Sequence, residues 1–339
     1  MKILIKTYGC QANINDSEIL AGKLKSEGNE LVNTETKADK IIVNTCSVKN
    51  KTQSKILHYL NQHQDKQIEI GGCLTNTINL QEKFPKVKTI DTINTNKLNN
   101  PIIRRDNETA IIQISQGCLN NCTFCATKSS RGNLQSYRIG DIKRQLESAV
   151  NNGATKINLT SQDNGCYGFD INTNLPELLN ELTTVKGNFI IRVGMMNPWH
   201  LRKISNQLIN SMKSEKIQNF LHIPVQSGSE KVLKDMKRIH TTEEFKDFAK
   251  AFRKTFPRTI FHDSTIATDI IVGYPTETEE DFQQTLSLIS EVKPEVLNIS
   301  AFSSRPKTPA SKLKQLDSKI IKERTKKLNE VYWEYRRKI

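Results

Sequence analysis

Ile111-Ile-Gln-Ile-Ser-Gln-Gly-Cys118-Leu-Asn-Asn-Cys122-Thr-Phe-Cys125 runs an apolar strand straight into three thiols spaced Cys-x3-Cys-x2-Cys. A redox Cys-x2-Cys pair and a zinc knuckle are the competing readings of such a loop. A closed zinc site takes a fourth nearby Cys or His, and none of the six histidines lies within thirty residues of the motif. A cubane iron-sulfur cluster takes four ligands, normally all cysteine. Three thiols leave one iron open to an exchangeable molecule, so Cys118, Cys122 and Cys125 are candidate ligands of a reactive cluster.

Working outward in the C-terminal direction, the same β-then-helix rhythm repeats. Strands are predicted over 111–115, 156–160, 189–193, 220–224, 264–271 and 296–302, with helices over 139–151, 198–212, 242–255 and 277–292. Six such units make a partial (β/α)6 barrel, whose ligands sit at the carboxyl ends of the strands. Gln162, Asp163, Arg192, Gln226 and Asp269 stand at those ends. Arg192 there suits a carboxylate, and Asp163 or Gln226 a ribose or an amine, although each serves equally as a structural hydrogen-bond anchor. His222, on the apolar run Phe220-Leu-His-Ile-Pro224, reads as a satisfied core histidine. The glycines near strand ends read as turn formers.

In the N-terminal direction, strands over 2–8, 40–44 and 67–70 alternate with helices over 16–27 and 49–62. This is a βαβ series that builds an open, flavodoxin-like parallel sheet. Cys10, Cys46 and Cys73 each follow one of the three strands, which places them in neighbouring loops on the ligand-binding edge. A lone cysteine is usually a small buried hydrophobe; the shared placement of these three makes them candidate ligands of a second metal site. Cys166 reads as an ordinary thiol. Residues 91–109 are polar, rich in Asn and contain Pro101, which suits a linker between a domain over 1–100 and a barrel over 108–312.

The chain has 339 residues, a formal charge of +14 and a pI near 9.4. Such basicity favours a polyanionic partner, RNA or DNA. It is densest over 313–339, which reads as a basic helix; on charge alone a solvated helix face is an equal reading. No apolar run is long enough for a bilayer and no signal peptide is evident, so a cytoplasmic protein is expected. A reducing compartment and an odd count of seven cysteines argue against a disulfide framework.

With the aromatic Phe124 before its third cysteine, the thiol loop resembles that of the radical S-adenosylmethionine (SAM) superfamily. The resemblance implies that the open iron chelates the amino and carboxylate groups of SAM, with Phe124 beside the cofactor. Tyr8-Gly-Cys10-Gln-Ala-Asn13, Asn44-Thr-Cys46-Ser-Val-Lys49, Gly72-Cys73, Arg131-Gly132, Gln226-Ser-Gly-Ser229 and Gly273-Tyr-Pro-Thr-Glu277 extend it to the methylthiotransferase family. That family implies two 4Fe-4S clusters: one on Cys118, Cys122 and Cys125 for SAM, and an auxiliary, sulfur-donating one on Cys10, Cys46 and Cys73. The stretch from Lys128 to Tyr137 and Arg192-Val-Gly-Met-Met-Asn-Pro198 are most similar to the archaeal and eukaryotic branch. That branch implies methylthiolation of threonylcarbamoyladenosine beside the anticodon of tRNA. The implied chemistry is reductive cleavage of SAM, removal of the hydrogen on adenine carbon 2, sulfur insertion, and methylation by a second SAM. A ferredoxin or flavodoxin is the expected electron donor. Branches acting on isopentenyladenosine or on a ribosomal-protein aspartate, and a non-catalytic two-cluster electron carrier, are the alternatives. The family usually ends in a small RNA-binding barrel (TRAM), and this sequence stops at the basic helix that would precede it, through shortening or through natural absence of the module; the helix is expected to supply part of the affinity for tRNA.

Overall fold

The computed structural model describes residues 1–47, 50–257 and 264–337. Val48, Lys49 and Lys338, read above as part of a motif, a helix start and the basic tail, lie outside the described residues. The chain forms two compact units: Met1–Leu119, Ala126–Gln162 and Thr184–Phe189 make the first, and Asn120–Cys125, Asp163–Thr183 and Ile190–Ile339 the second.

The first unit opens with β1 (Lys2–Thr7), α1 (Gln11–Ser26), β2 (Glu30–Leu31), β3 (Lys40–Thr45), α2 (Asn50–Gln62), β4 (Ile68–Gly72) and β5 (Lys88–Thr89). These strands form one sheet in the order β2-β1-β3-β4-β5, every pair parallel. β3 reads Lys-Ile-Ile-Val-Asn-Thr and is buried from Ile41 onward, the continuous run expected of a central parallel strand covered on both faces. Ile41, Val43, Ile68 and Ile70 pack with Ile56, Tyr59 and Leu60 of α2 in one core cluster. The two-residue strands β2 and β5 are too short to leave a periodic signal.

α1 starts five residues before the expected position. Its first turns bury Asn13, Asn15, Asp16, Ser17 and Glu18 instead of an apolar stripe, so hydrophobic periodicity could not find them. Those polar groups are used. Asn15 donates to the carbonyl of Ile111 at 2.9 Å, and Gln113 donates to Asn15 and Asp16 at 3.0 and 2.9 Å. They join α1 to the unit's next strand, β6 (Thr109–Gln113). The expected linker is irregular in backbone but packed: Ile93, Lys97 and Leu98 are buried.

After β6 come β7 (Ser115–Gln116), α3 (Thr127–Arg131), β8 (Gln135–Ser136), α4 (Ile139–Asn151) and β9 (Lys156–Thr160). β6 pairs with β9 in parallel, and β7 with β8 antiparallel.

The second unit holds α5 (Leu175–Thr183), β10 (Ile190–Val193), α6 (Pro198–Leu201), α7 (Ser205–Ser211), β11 (Phe220–His222), α8 (Glu230–Asp235), α9 (Thr242–Thr255), β12 (Thr265–Val272), α10 (Glu279–Val292), β13 (Val296–Ala301) and α11 (Ser318–Arg336). β11, β12 and β13 form a parallel sheet in that order. Strands stand at all six expected places of the β-then-helix series, and α4 and α9 match their predicted bounds to the residue. The single helix expected over 198–212 is a correction. The chain tightens after α6 into i−3 bonding, Arg202 N–H to Trp199 O and Ile204 N–H to Leu201 O, and restarts as α7.

α11 docks on its own unit through Arg324, which pairs with Glu277 at 2.7 Å and Glu279 at 3.2 Å. Tyr332 and Tyr335 donate to the carbonyls of Glu295 and Pro294. Lys319, Lys322, Lys326 and Lys327 are exposed. Among the described residues, no helix is long and apolar enough to cross a membrane.

Candidate active site

The first unit brings Cys10, Cys46 and Cys73 together by backbone and by one side chain. Cys10 is the N-cap residue of α1, and Cys46 and Cys73 follow β3 and β4 directly. The Cys73 N–H donates to Thr45 O at 2.9 Å, which ties the two strand ends. Gly9, at φ +124°, sits so close that a Cβ there would lie 2.9 Å from the Cβ of Cys46. Asn13 is the hub: its Oδ1 receives the thiols of Cys10 at 3.5 Å and Cys73 at 4.0 Å, while its Nδ2 donates to Thr45 O at 2.7 Å. Burial pushes the Cys73 thiol up to about 11, against the pull of Arg131. Ligation here would therefore release a proton.

Arg131, at the end of α3, faces this set. Its Nε donates to Cys73 Sγ at 3.3 Å, and its Nη2 to Asp16 Oδ2 at 2.6 Å and Asn13 Oδ1 at 3.2 Å. Its Nη1 is buried with no hydrogen-bond partner. Asp16 is shared, since its Oδ1 also holds Lys97 Nζ at 2.9 Å. Burial works against the Arg131 charge, but Asp16, joined by the sulfurs of Cys73 and Cys10 once ionised, outweighs it and holds the guanidinium's pKa above its ordinary range. A three-cysteine set with a buried cation at Cys73 that keeps a spare donor fits an anionic iron-sulfur cluster. Sequence reading quoted Arg131 and Asn13 only within family motifs and passed over Lys97. A buried lysine inside an Asn-rich stretch leaves no pattern.

The Cys118–Cys125 loop contributes Cys118 to the first unit and Cys122 and Cys125 to the second. In the first unit Gly117, at φ +74°, lets the chain pass so near Gly132-Asn133 that a Cβ would lie 1.9 Å from Asn133 O. Gln162 Oε1 accepts the Gly117 N–H at 2.6 Å, the Cys118 N–H reaches Gly132 O at 3.3 Å, and Lys128 Nζ donates to Cys118 O. In the second unit Thr123 anchors the loop. Its N–H donates to Met236 O at 3.1 Å, and its hydroxyl donates to Asp235 O at 3.0 Å and lies 2.8 Å from the Tyr274 hydroxyl. Phe124 packs against Val232, Met236, Tyr274 and Ala310. Arg238 is the second arginine at a sulfur: its Nη1 lies 3.8 Å from Cys122 Sγ, its Nη2 donates to Pro224 O, and its Nε has no partner.

The polar residues expected at strand ends divide by what they touch. Asp163 is saturated by protein: Oδ1 accepts the N–H groups of Gly165 and Asn197, each at 3.0 Å, and Oδ2 accepts Asn120 Nδ2 at 2.9 Å. It positions Asn120, two residues after Cys118. Gln162 props the Gly117 turn, as above. Asp269 pairs with His222 at 2.7 Å, so this histidine is satisfied, though half-buried rather than deep in the core. Arg192 lies exposed, its guanidinium 4.0 Å from the centre of the Phe220 ring. Gln226 differs from the others. It holds φ +75°, rare outside glycine, is buried, and its Oε1 has no partner.

Cys166 is fully buried and donates to Asp163 O at 3.2 Å. Its sulfur, a carboxylate oxygen of Asp163 and a ring nitrogen of His200 all lie within 4.8 Å of one another. His200 Nε2 also lies 3.2 Å from Asn120 Oδ1. The fold thus carries a histidine to a loop from which it is remote in sequence.

Two family models match successive stretches of the chain. The model of the radical SAM superfamily matches residues 112–289, and that of the uncharacterized protein family UPF0004 matches 2–93. The probable threonylcarbamoyladenosine tRNA methylthiotransferase of Pyrococcus horikoshii is 40% identical over 98% of this chain and 84% of its own length. The chain belongs to this methylthiotransferase family. The threonylcarbamoyladenosine tRNA methylthiotransferase of Homo sapiens is 34% identical over 98% of this chain and 63% of its own length. Among solved structures, the radical SAM methyltransferase TsrM of Kitasatospora setae, with cobalamin and a [4Fe-4S] cluster bound, superposes at a TM-score of 0.65. It is 12% identical and covers 91% of this chain and 77% of its own. That likeness concerns the α/β fold alone; the radical SAM assignment rests on the family match over residues 112–289.

Proposed function

We propose that this chain methylthiolates carbon 2 of threonylcarbamoyladenosine beside the anticodon of tRNA. Identity of 40% to archaeal family members across 98% of the chain carries the reading. Two separate three-cysteine sets, each with a buried arginine at a sulfur, support it. Residues 1–100 hold the auxiliary site on Cys10, Cys46 and Cys73; residues 108–312 hold the SAM site on Cys118, Cys122 and Cys125. When bound, two 4Fe-4S clusters and SAM supply the electron, the hydrogen-abstracting radical, the sulfur and the methyl group.

The protein's own residues bind and orient. Gln162, Lys128 and Thr123 hold the thiol loop by its backbone, and Asp163 acts on it through Asn120 rather than on SAM. The unpaired Oε1 of Gln226 takes a donor of SAM, its amine or a ribose hydroxyl, because a buried acceptor left alone is costly. Phe124 presents an apolar wall, and Arg192 and Asp269 complete the cofactor contacts. The exposed lysines of α11 add phosphate contacts to tRNA, and a ferredoxin or flavodoxin delivers electrons in the cytoplasm.

Anaerobic incubation with dithionite and SAM tests the enzyme reading: 5′-deoxyadenosine should form, and Cys118→Ala should abolish it. Cys46→Ala should leave SAM cleavage measurable and remove the methylthio product. No 5′-deoxyadenosine from a reconstituted chain returns the reading to a non-catalytic two-cluster protein. Mass spectrometry of digested tRNA that finds methylthio-isopentenyladenosine instead overturns the substrate.

A further inference from the structure

We propose that Arg131, with Lys97 behind it, is the counter-charge of the auxiliary cluster and holds that cluster's reduction potential up. The inference rests on the reading of Cys10, Cys46 and Cys73 as cluster ligands and adds to it residues outside the ligand set.

The observation is an imbalance. Arg131 is 4% exposed, Lys97 1% and Asp16 2%, so two cations share one carboxylate in the interior. Lys97 is satisfied beyond Asp16 by Thr92 O at 2.9 Å and Thr95 Oγ1 at 3.0 Å. Arg131 is not: it turns Nε to Cys73 Sγ and leaves Nη1 without a partner. A buried surplus cation demands an anion. Neutral thiols do not provide one. An oxidised cubane held by three thiolates carries a net charge of about −1, which matches the surplus, and one-electron reduction makes it about −2. A fixed positive charge in low dielectric favours the more negative, reduced state. Charge-assisted N–H···S bonds act in the same direction, since hydrogen bonds to sulfur are among the determinants of cluster potentials. Lys97 spends its described bonds on Asp16, Thr92 O and Thr95 Oγ1, so it acts on the cluster by charge.

The test uses the full chain with Cys118, Cys122 and Cys125 all changed to Ala, which leaves the auxiliary site alone, reconstituted anaerobically. Iron is counted, and a mediated dithionite titration is followed by electron paramagnetic resonance. The background variant should retain about four irons. Adding Arg131→Gln should lower the one-electron reduction constant at least tenfold, a shift of about 59 mV to more negative potential. Arg131→Lys, which keeps the charge, should recover most of that shift. Lys97→Met should move the potential in the same direction by less. An unchanged potential in Arg131→Gln overturns the proposal. If Arg131→Gln fails to fold or to hold iron, Lys97→Met decides, and an unchanged potential there overturns it. A background variant that binds no iron refutes the cluster reading itself, and this inference falls with it.

Discussion

Asp16→Asn is the substitution for which the first unit makes the sharpest demand. The change is isosteric and leaves an amide in the same cavity, so any loss reflects charge rather than volume. Asp16 accepts from Lys97 at 2.9 Å, Arg131 at 2.6 Å and Gln113 at 2.9 Å, and the Asp16 and Lys97 side chains are 0% exposed. Removing one partner of a buried ion pair costs about 3–5 kcal/mol, because the remaining charge is stranded. Here two cations are stranded at once, which puts the expected loss at the upper end of that range for the cluster-free protein. With a urea dependence of about 2 kcal/mol per molar, the unfolding midpoint should fall by roughly 2–2.5 M. The assay is urea unfolding of reduced, cluster-free chain, with hydrogen exchange of the α1 and β6 amides to assign the transition to the first unit. Lys97→Met is the control: it leaves a one-to-one Asp16–Arg131 pair and should cost far less. A loss below about 1 kcal/mol for Asp16→Asn, or equal losses for the two variants, would refute the account of a shared, limiting carboxylate.

Gly22→Ala should destabilise the protein by about 1–3 kcal/mol by overpacking, although Ala is normally favoured over Gly in a helix by about 1 kcal/mol. A Cβ at Gly22 would lie 2.0 Å from Pro101 O, and a variant of equal or higher melting temperature would show that the 101 segment is not pressed on α1. His240 is held neutral by burial and by Arg238, its pKa lowered to about 3. The unfolded chain takes up that proton near pH 6.5 while the folded one does not, so this contribution is complete above pH 6.5 and falls at up to about 1.4 kcal/mol per unit down to about pH 3. His240→Gln should flatten the fall between pH 6.5 and 5, read as the pH dependence of the urea midpoint; an unchanged slope contradicts a neutral His240. Cys166→Ala should leave iron content unchanged and cost about 1 kcal/mol for the lost contact to Asp163 O, whereas a drop in bound metal would make Cys166 a ligand.

Much of the architecture is legible in the residues because burial imposes period. Ile41-Ile-Val43 and the runs around Ile157 and Ile266 are strands by their apolar continuity, and α4 and α9 follow a clean amphipathic repeat. The break between α6 and α7 is not legible, since the apolar pattern of 198–212 continues across it. The first turns of α1 escape for the opposite reason: their inward face is polar and is satisfied by distant partners rather than by a hydrophobic stripe.

The sites divide in the same way. Sequence alone determined which cysteines are candidate ligands, because thiol chemistry is carried by residue type and spacing, and strand ends are visible as the close of an apolar run. It also determined the family, through motifs spread from Tyr8 to Glu277. Tertiary structure decided how those thiols are surrounded: that Arg131 rather than solvent faces Cys73, that Lys97 lies buried beside Asp16, and that Asp163 is saturated while the Gln226 carbonyl is not. Charge pairing and hydrogen-bond saturation depend on distances of a few ångströms between residues as far apart as Asp16 and Arg131, and no local pattern encodes such distances.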